Sequence, residues 1–137
     1  MTTSASTTPS APPVSLGVAL GALERSSESH DDLTTALREA VEALWTIAAQ
    51  AASTSSGGAS VRVELVQRGE RILSAIIRRG VVSGAFRPRC RAWAEQGLAH
   101  ALMAGACARW VLGLPRERSP RAGPAAEAAL EVLRPVR

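Results

Sequence analysis

Two cysteines and two histidines are the side chains of this chain best suited to nucleophilic catalysis or metal binding. Cys90 and Cys107 lack the C-x-x-C spacing of a zinc or redox motif, and His30 lies far from His100 in the sequence. His100 and Cys107 would share one face of a helix, but two helical turns separate them by about 10 Å, too far for a nucleophile and its base. Because nucleotide-binding loops and nucleophile elbows are also absent, we predict no catalytic residue, no metal and no cofactor, so the chain is not expected to be an enzyme.

The composition predicts the kind of fold that carries these residues. The chain has 137 residues, the length of one domain, with 26 alanines and aromatic residues at only 3%. All 16 basic residues are arginine, and no lysine or tyrosine occurs. Alanine and arginine favour helices, whereas strands need β-branched and aromatic residues. We therefore predict an all-α helical bundle of about four to five helices.

The charge is unevenly distributed along the chain. Residues 1–60 hold two arginines and six acids, for a net charge of −4, and residues 61–137 hold fourteen arginines and six acids, for +8. The densest basic group is Arg78, Arg79, Arg87, Arg89 and Arg91. Such a group can bind phosphate or an acidic partner, although a solvated helix face explains it equally well, and we favour that explanation.

Nothing in the sequence predicts a membrane or secretory protein. No signal peptide is evident, and the longest uncharged apolar run, residues 96–108, is 13 residues long and too short to span a bilayer. We expect no membrane association and a cytoplasmic location.

Apolar periodicity divides the chain into a tail and five helices. Residues 1–13 are rich in Ser, Thr and Pro without charge, which is typical of a disordered tail, and the domain is expected to span 14–137. Ser29, Asp31 and Asp32 are candidate caps of the first strong helix, and Gly84 is a plausible end of the next. The predicted helices are 14–25, 32–52, 61–82, 91–112 and 124–133, with loops at 53–60 and 115–124.

One stretch carries a family resemblance. Residues 72–88 read ILSAIIRRGVVSGAFRP, a helix that ends in G-x-x-x-G-x-F-R-P, and residues 101–113 read ALMAGACARWVLG in the helix that follows. Together with the last helix, this pattern resembles the C-terminal ligand-binding and dimerisation domain of TetR/AcrR-type transcriptional regulators. The resemblance covers about residues 30–135.

The resemblance implies a small apolar ligand held between helices. We chose candidates for its pocket because they project from apolar helix faces and include the few large or polar-tipped side chains. Packing in a closed core is the alternative for each of them. The candidates are Leu44, Trp45, Ile72, Ile76, Trp93, His100 and Met103.

The resemblance also implies pairing through the last two long helices, as a homodimer or with a related regulator. Small residues that repeat every four positions allow another helix to approach closely, either across a twofold axis or within one subunit. The candidates are Gly97, Ala101, Gly105, Ala108, Leu112, Ala129 and Val132.

The chain departs from the family pattern in its DNA-binding part. The family's N-terminal unit ends in a sequence with Tyr, His, Phe and Lys, but this chain has no Tyr or Lys, and Phe86 is its only Phe. We therefore expect a sensing half without its own DNA-binding unit and without direct sequence-specific DNA binding. The alternative is a small arginine-rich helical interaction protein that binds an acidic partner or nucleic acid non-specifically.

Overall fold

The computed structural model describes residues 15–54 and 58–136, and over these ranges the chain is all-helical without a β-strand. This confirms the predicted all-α bundle. The helices are α1 (Leu16–Glu28), α2 (Leu33–Thr54), α3 (Gly58–Ser83), α4 (Leu98–Leu112) and α5 (Ala122–Leu133). The predicted tail 1–13 lies outside the described residues. None of the helices in the described ranges is both long enough and apolar enough to cross a bilayer.

Of the three predicted cap candidates, Asp32 caps the start of α2, whereas Ser29 lies at the C-terminal cap of α1. Its Oδ1 accepts hydrogen bonds from the backbone N–H of Thr34 at 3.0 Å and of Thr35 at 3.3 Å, and its Oδ2 accepts one from the Thr35 hydroxyl at 2.9 Å. The hydrogen bond from the Thr35 hydroxyl does most to lower the pKa of Asp32 below its usual value, and the hydrogen bond from the Thr35 backbone N–H lowers it further. The carboxylate therefore stabilises two N–H groups that have no partner inside the helix.

Both ends of the predicted loop 53–60 are helical, and residues 55–57 lie outside the described residues. Helix α2 continues to Thr54 and α3 already begins at Gly58, so the helices extend into the predicted loop from both sides. The Ser and Thr residues that favour a loop here flank alanines, which extend helices readily.

Helix α2 lies at the centre of the bundle and contacts each of the other four α-helices. An apolar stripe of α2 faces the core, and its members Leu37, Val41 and Leu44 are fully buried. On the outer side, a bidentate ion pair between Arg38 and Glu127 joins α2 to α5. Arg38 Nε lies 2.7 Å and Arg38 Nη2 lies 3.2 Å from the Glu127 carboxylate. This guanidinium lowers the pKa of Glu127.

The turn between α3 and α4 is built around Phe86. Helix α3 ends at Ser83, and Gly84 follows with a φ of +82°, so the predicted glycine stop is confirmed. The Phe86 ring lies against Gly80 so closely that a Cβ at that position would overlap it. The chain end closes over the same turn, because the Arg87 N–H donates to the Leu133 carbonyl at 2.8 Å.

The predicted helix 91–112 contains an irregularity. Residues 91–92 are helical, Trp93–Gly97 form a π-helical turn, and α4 follows from Leu98. The Trp93 indole lies over Gly97, where a Cβ would come within 2.6 Å of the ring. Hydrophobic periodicity does not reveal such a local contact, in which a bulky ring packs on a glycine one helical turn further along the chain.

Candidate ligand cleft

The residues with potential for catalysis differ in exposure and in their partners. Cys90 is exposed, whereas Cys107 is buried, and burial raises the pKa of the Cys107 thiol despite the opposing positive charge of Arg62. His30 Nε2 lies 2.7 Å from a carboxylate oxygen of Glu39 at the surface. No group of three or more His, Cys, Asp or Glu residues in the described ranges is arranged to hold a metal ion.

Four of the predicted pocket residues lie in the closed core. Leu44 and Met103 are 0% exposed, Ile76 1% and Ile72 3%. Met103 packs directly against Gly69 of α3, where even a methyl group would collide with its sulfur. These side chains fill the centre of the bundle because α2, α3 and α4 pack together there, and they do not line the cleft described below.

Two more of the predicted pocket residues lie at the surface. Trp93 is 47% exposed, on the π-helical turn. His100 is exposed on α4, with its Nδ1 3.0 Å from Glu70 Oε2 on α3. Neither residue lines the cleft: the Trp93 indole packs on Gly97, and the His100 ring pairs with a carboxylate.

Trp45 is the predicted pocket residue that the structure places at a cavity. A cleft of about 470 Å³ opens between α2, α4 and the segment that leads into α5. This volume is within the usual range of small-molecule sites, roughly 300–1,000 Å³. Its lining comprises Trp45, Ala48, Ala49, Ala52, Gly105, Ala106, Arg109, Trp110, Glu117, Ser119, Pro120, Arg121 and Ala122.

The width of the cleft depends on its small residues. Gly105 lies under the Trp45 ring, where a Cβ would come within 3.2 Å of Cη2 and Cζ2. Ala48 and Ala52 follow one another by one turn on α2, so both face the cleft with only a methyl group. Larger side chains at these positions would fill the space, and the alanine and glycine spacing next to a tryptophan is the sequence signal that could have located the site.

A hydrogen bond fixes the outer wall of the cleft. The Trp45 indole N–H donates to the Pro120 carbonyl at 3.0 Å, which joins α2 to the segment before α5. The polar tip for which Trp45 was chosen as a pocket candidate is therefore engaged within the protein. What the side chain can still offer a ligand is its apolar ring, one side of which packs on Gly105.

Charged residues surround the opening. Arg109, Glu117 and Arg121 line the cleft, are exposed, and form no ion pair with any described residue. The indole of Trp110, which also lines the cleft, lies beside Arg62. The Arg62 guanidinium carbon is 5.7 Å from the centre of the Trp110 ring, within the range of a cation–π contact.

The predicted dimer residues divide into two groups. Ala101 and Leu112 are exposed on α4, Val132 is 38% exposed on α5, and Gly97 and Ala108 are half-buried. Gly105 and Ala129 point inward instead. Gly105 lies under Trp45, and Ala129 is 2% exposed in the core.

The arginine cluster is largely engaged. Arg79 donates to the backbone carbonyls of Ser27 at 2.8 Å and His30 at 2.9 Å, which ties α3 to the last turn of α1 and to the turn that follows it. Arg91 and Arg78 pair with Glu95, at 2.7 Å and 3.7 Å. Of the five members, only Arg87 and Arg89 are exposed without an ion pair to a described residue, so the cluster is not a continuous free basic surface.

No protein-family model matches this chain, and no curated protein or solved structure is significantly similar to it. The resemblance to TetR-type regulators therefore stays a prediction from the sequence pattern.

Proposed function

We propose that this chain is a helical domain that binds a small, mainly apolar molecule in the cleft between α2 and α4 and pairs with a second copy through α4. Both activities are those that the resemblance to TetR-type regulators implies. The observation that carries the proposal is the cleft itself: two indoles, Trp45 and Trp110, stand beside a floor of alanine and glycine in a space of about 470 Å³. Ring faces over small residues suit a flat apolar ligand.

The pairing surface is the outer face of α4. Ala101 and Ala104 are exposed there, and Val111 and Leu112 are 59% and 68% exposed at its end. Small residues beside large exposed aliphatic ones let a second helix approach closely and bury apolar surface. A twofold interface is self-complementary, so this one face can serve both copies.

A thermal-shift titration with naphthalene-2-carboxamide, a flat neutral probe, tests the ligand site. We expect the melting temperature to rise with probe concentration because a ligand that binds only the folded state stabilises it. Ala49→Leu, which adds volume at an exposed lining position, should abolish the shift. Ala75→Leu is the matched control, because Ala75 is an exposed helical alanine of α3 that does not line the cleft.

The melting-temperature shifts of the two variants decide whether the probe binds in the cleft. A shift that Ala49→Leu removes and Ala75→Leu preserves supports the cleft as the ligand site. A shift that both variants preserve would place the probe elsewhere and contradict the proposal.

A further inference from the structure

The charged residues around the cleft are mostly positive. Arg109 comes from α4, Arg121 from the segment before α5, and Arg62 from α3 packs over Trp110. Glu117 is the one acidic residue of the lining. The cleft therefore has an excess of positive charge, and its two lining arginines have no carboxylate partner among the described residues.

The start of α5 adds to this field. Ala122, the first residue of α5, lines the cleft, and no acidic residue occurs in the first turn. Arg121 at the cap position provides no side-chain hydrogen bond to the helix N–H groups. The positive end of the helix dipole thus lies at the same opening as the two arginines.

Some of the polar side chains that line the cleft are already engaged within the protein. The Trp45 N–H is engaged with Pro120, and the Ser119 hydroxyl donates to the Pro115 carbonyl at 3.1 Å. The floor consists of alanine and glycine. The charges at the rim are therefore the strongest groups that can orient a ligand, whose body would contact rings and methyl groups.

We propose that the cleft takes a planar aromatic acid, with the ring system against the indoles of Trp45 and Trp110 and the carboxylate at Arg109 and Arg121. This inference rests on the proposed ligand-binding function and narrows its ligand from an apolar molecule to an organic anion. Planar guanidinium groups match a carboxylate in shape and charge, and each side chain is long enough to adjust to it.

Isothermal titration calorimetry with two probes of the same shape tests the inference. Naphthalene-2-carboxylate and naphthalene-2-carboxamide differ in charge, and we expect the acid to bind about tenfold more tightly at low salt. Arg109→Gln and Arg121→Gln should each weaken binding of the acid roughly three- to fivefold, as expected for exposed ion pairs, and leave the amide unchanged. Arg118→Gln is the control, because Arg118 is exposed in the same segment but does not line the cleft.

The binding results distinguish a wrong ligand class from a wrong ligand site. Equal affinity for both probes, abolished by Ala49→Leu, would overturn the preference for an anion and leave the cleft as a ligand site. Preference for the acid that also disappears in Arg118→Gln would overturn the assignment to Arg109 and Arg121. No binding of either probe would overturn the proposed ligand site together with this inference.

Discussion

The indole N–H of Trp45 donates a hydrogen bond to the Pro120 carbonyl at 3.0 Å, and this bond joins residues that are 75 positions apart in the chain. It holds the segment between α4 and α5 beside α2 and so forms the outer wall of the cleft. The site depends on this contact because the segment contains only a short 3-10 turn, Arg116–Arg118, of its own.

Trp45→Phe should loosen this wall. The variant keeps an aromatic ring but loses the donor, and a hydrogen bond of this kind contributes about 0.5–1.5 kcal/mol to folding. We expect faster hydrogen exchange of the Arg118 amide, which donates to the Pro115 carbonyl at 2.9 Å, and weaker binding of naphthalene-2-carboxylate. Trp93→Phe is the control, since Trp93 does not line the cleft. Unchanged exchange of the Arg118 amide in Trp45→Phe would show that the bond does not hold the segment.

Gly80→Ala should destabilise the fold. A methyl group at this position overlaps the Phe86 ring, and overpacking of this kind costs roughly 1–3 kcal/mol in the free energy of unfolding, measurable by urea denaturation. Gly123→Ala should have little effect, because a Cβ there has no neighbour within 4 Å. Similar stability of the two variants would contradict the close packing of the ring on α3.

The stability of the protein should decrease in acid partly through Asp32. Its pKa is lowered in the folded state from an unperturbed value of 3.8, so the stability that it contributes is present above that value and is lost as the pH falls through the folded pKa. Asp32→Asn can still accept a bond from the helix N–H groups but does not titrate. We expect its melting temperature to decrease less between neutral pH and pH 2 than that of the unmodified protein. If the melting temperatures of the two proteins decrease by the same amount over this pH range, Asp32 does not contribute to the loss of stability in acid.

The two cysteines should differ in reactivity. Cys90 is exposed, and burial raises the pKa of Cys107, which lowers the thiolate fraction. We expect one thiol to react rapidly with a disulfide reagent in the folded protein and the second only after denaturation. In Cys90→Ser the rapid phase should disappear. A rapid phase that persists in this variant would mean that solvent reaches Cys107.

Self-association should depend on the outer face of α4. Ala101→Glu and Ala104→Glu place a charge on the proposed interface, so both should sediment as monomers at concentrations where the unmodified protein is a dimer. Ala75→Glu on α3 should sediment as the unmodified protein does. Sedimentation of the unmodified chain as a monomer at high micromolar concentration would contradict the pairing half of the proposed function.

The helices could be predicted from the sequence because their signals are local. The stripe that includes Leu37, Val41 and Leu44 repeats with the helical period, and all three residues are buried. The cap at Asp32 and the end of α3 before Gly84 likewise follow from residue types next to an apolar run. The π-helical turn at Trp93–Gly97 was missed because it arises from one ring packed over one glycine.

The site was harder to predict because periodicity shows which residues face a neighbour but not where space remains between them. Large residues such as Leu44 and Met103 face inward and fill the space, so they form the core. The cleft forms where neighbouring helices present Ala48, Ala52 and Gly105, together with a segment held in place by a distant tryptophan. That arrangement depends on tertiary contacts that one sequence does not specify.

The most direct test of the ligand site uses the three tryptophans as reporters. In a ¹H–¹⁵N correlation spectrum each indole N–H gives its own signal, and Trp45 and Trp110 line the cleft whereas Trp93 does not. Titration with naphthalene-2-carboxylate should shift the Trp45 and Trp110 signals in a saturable way and leave Trp93 in place. Signals of Trp45 and Trp110 that stay unchanged at millimolar probe, or a shift confined to Trp93, would contradict the assignment of the cleft as a ligand site.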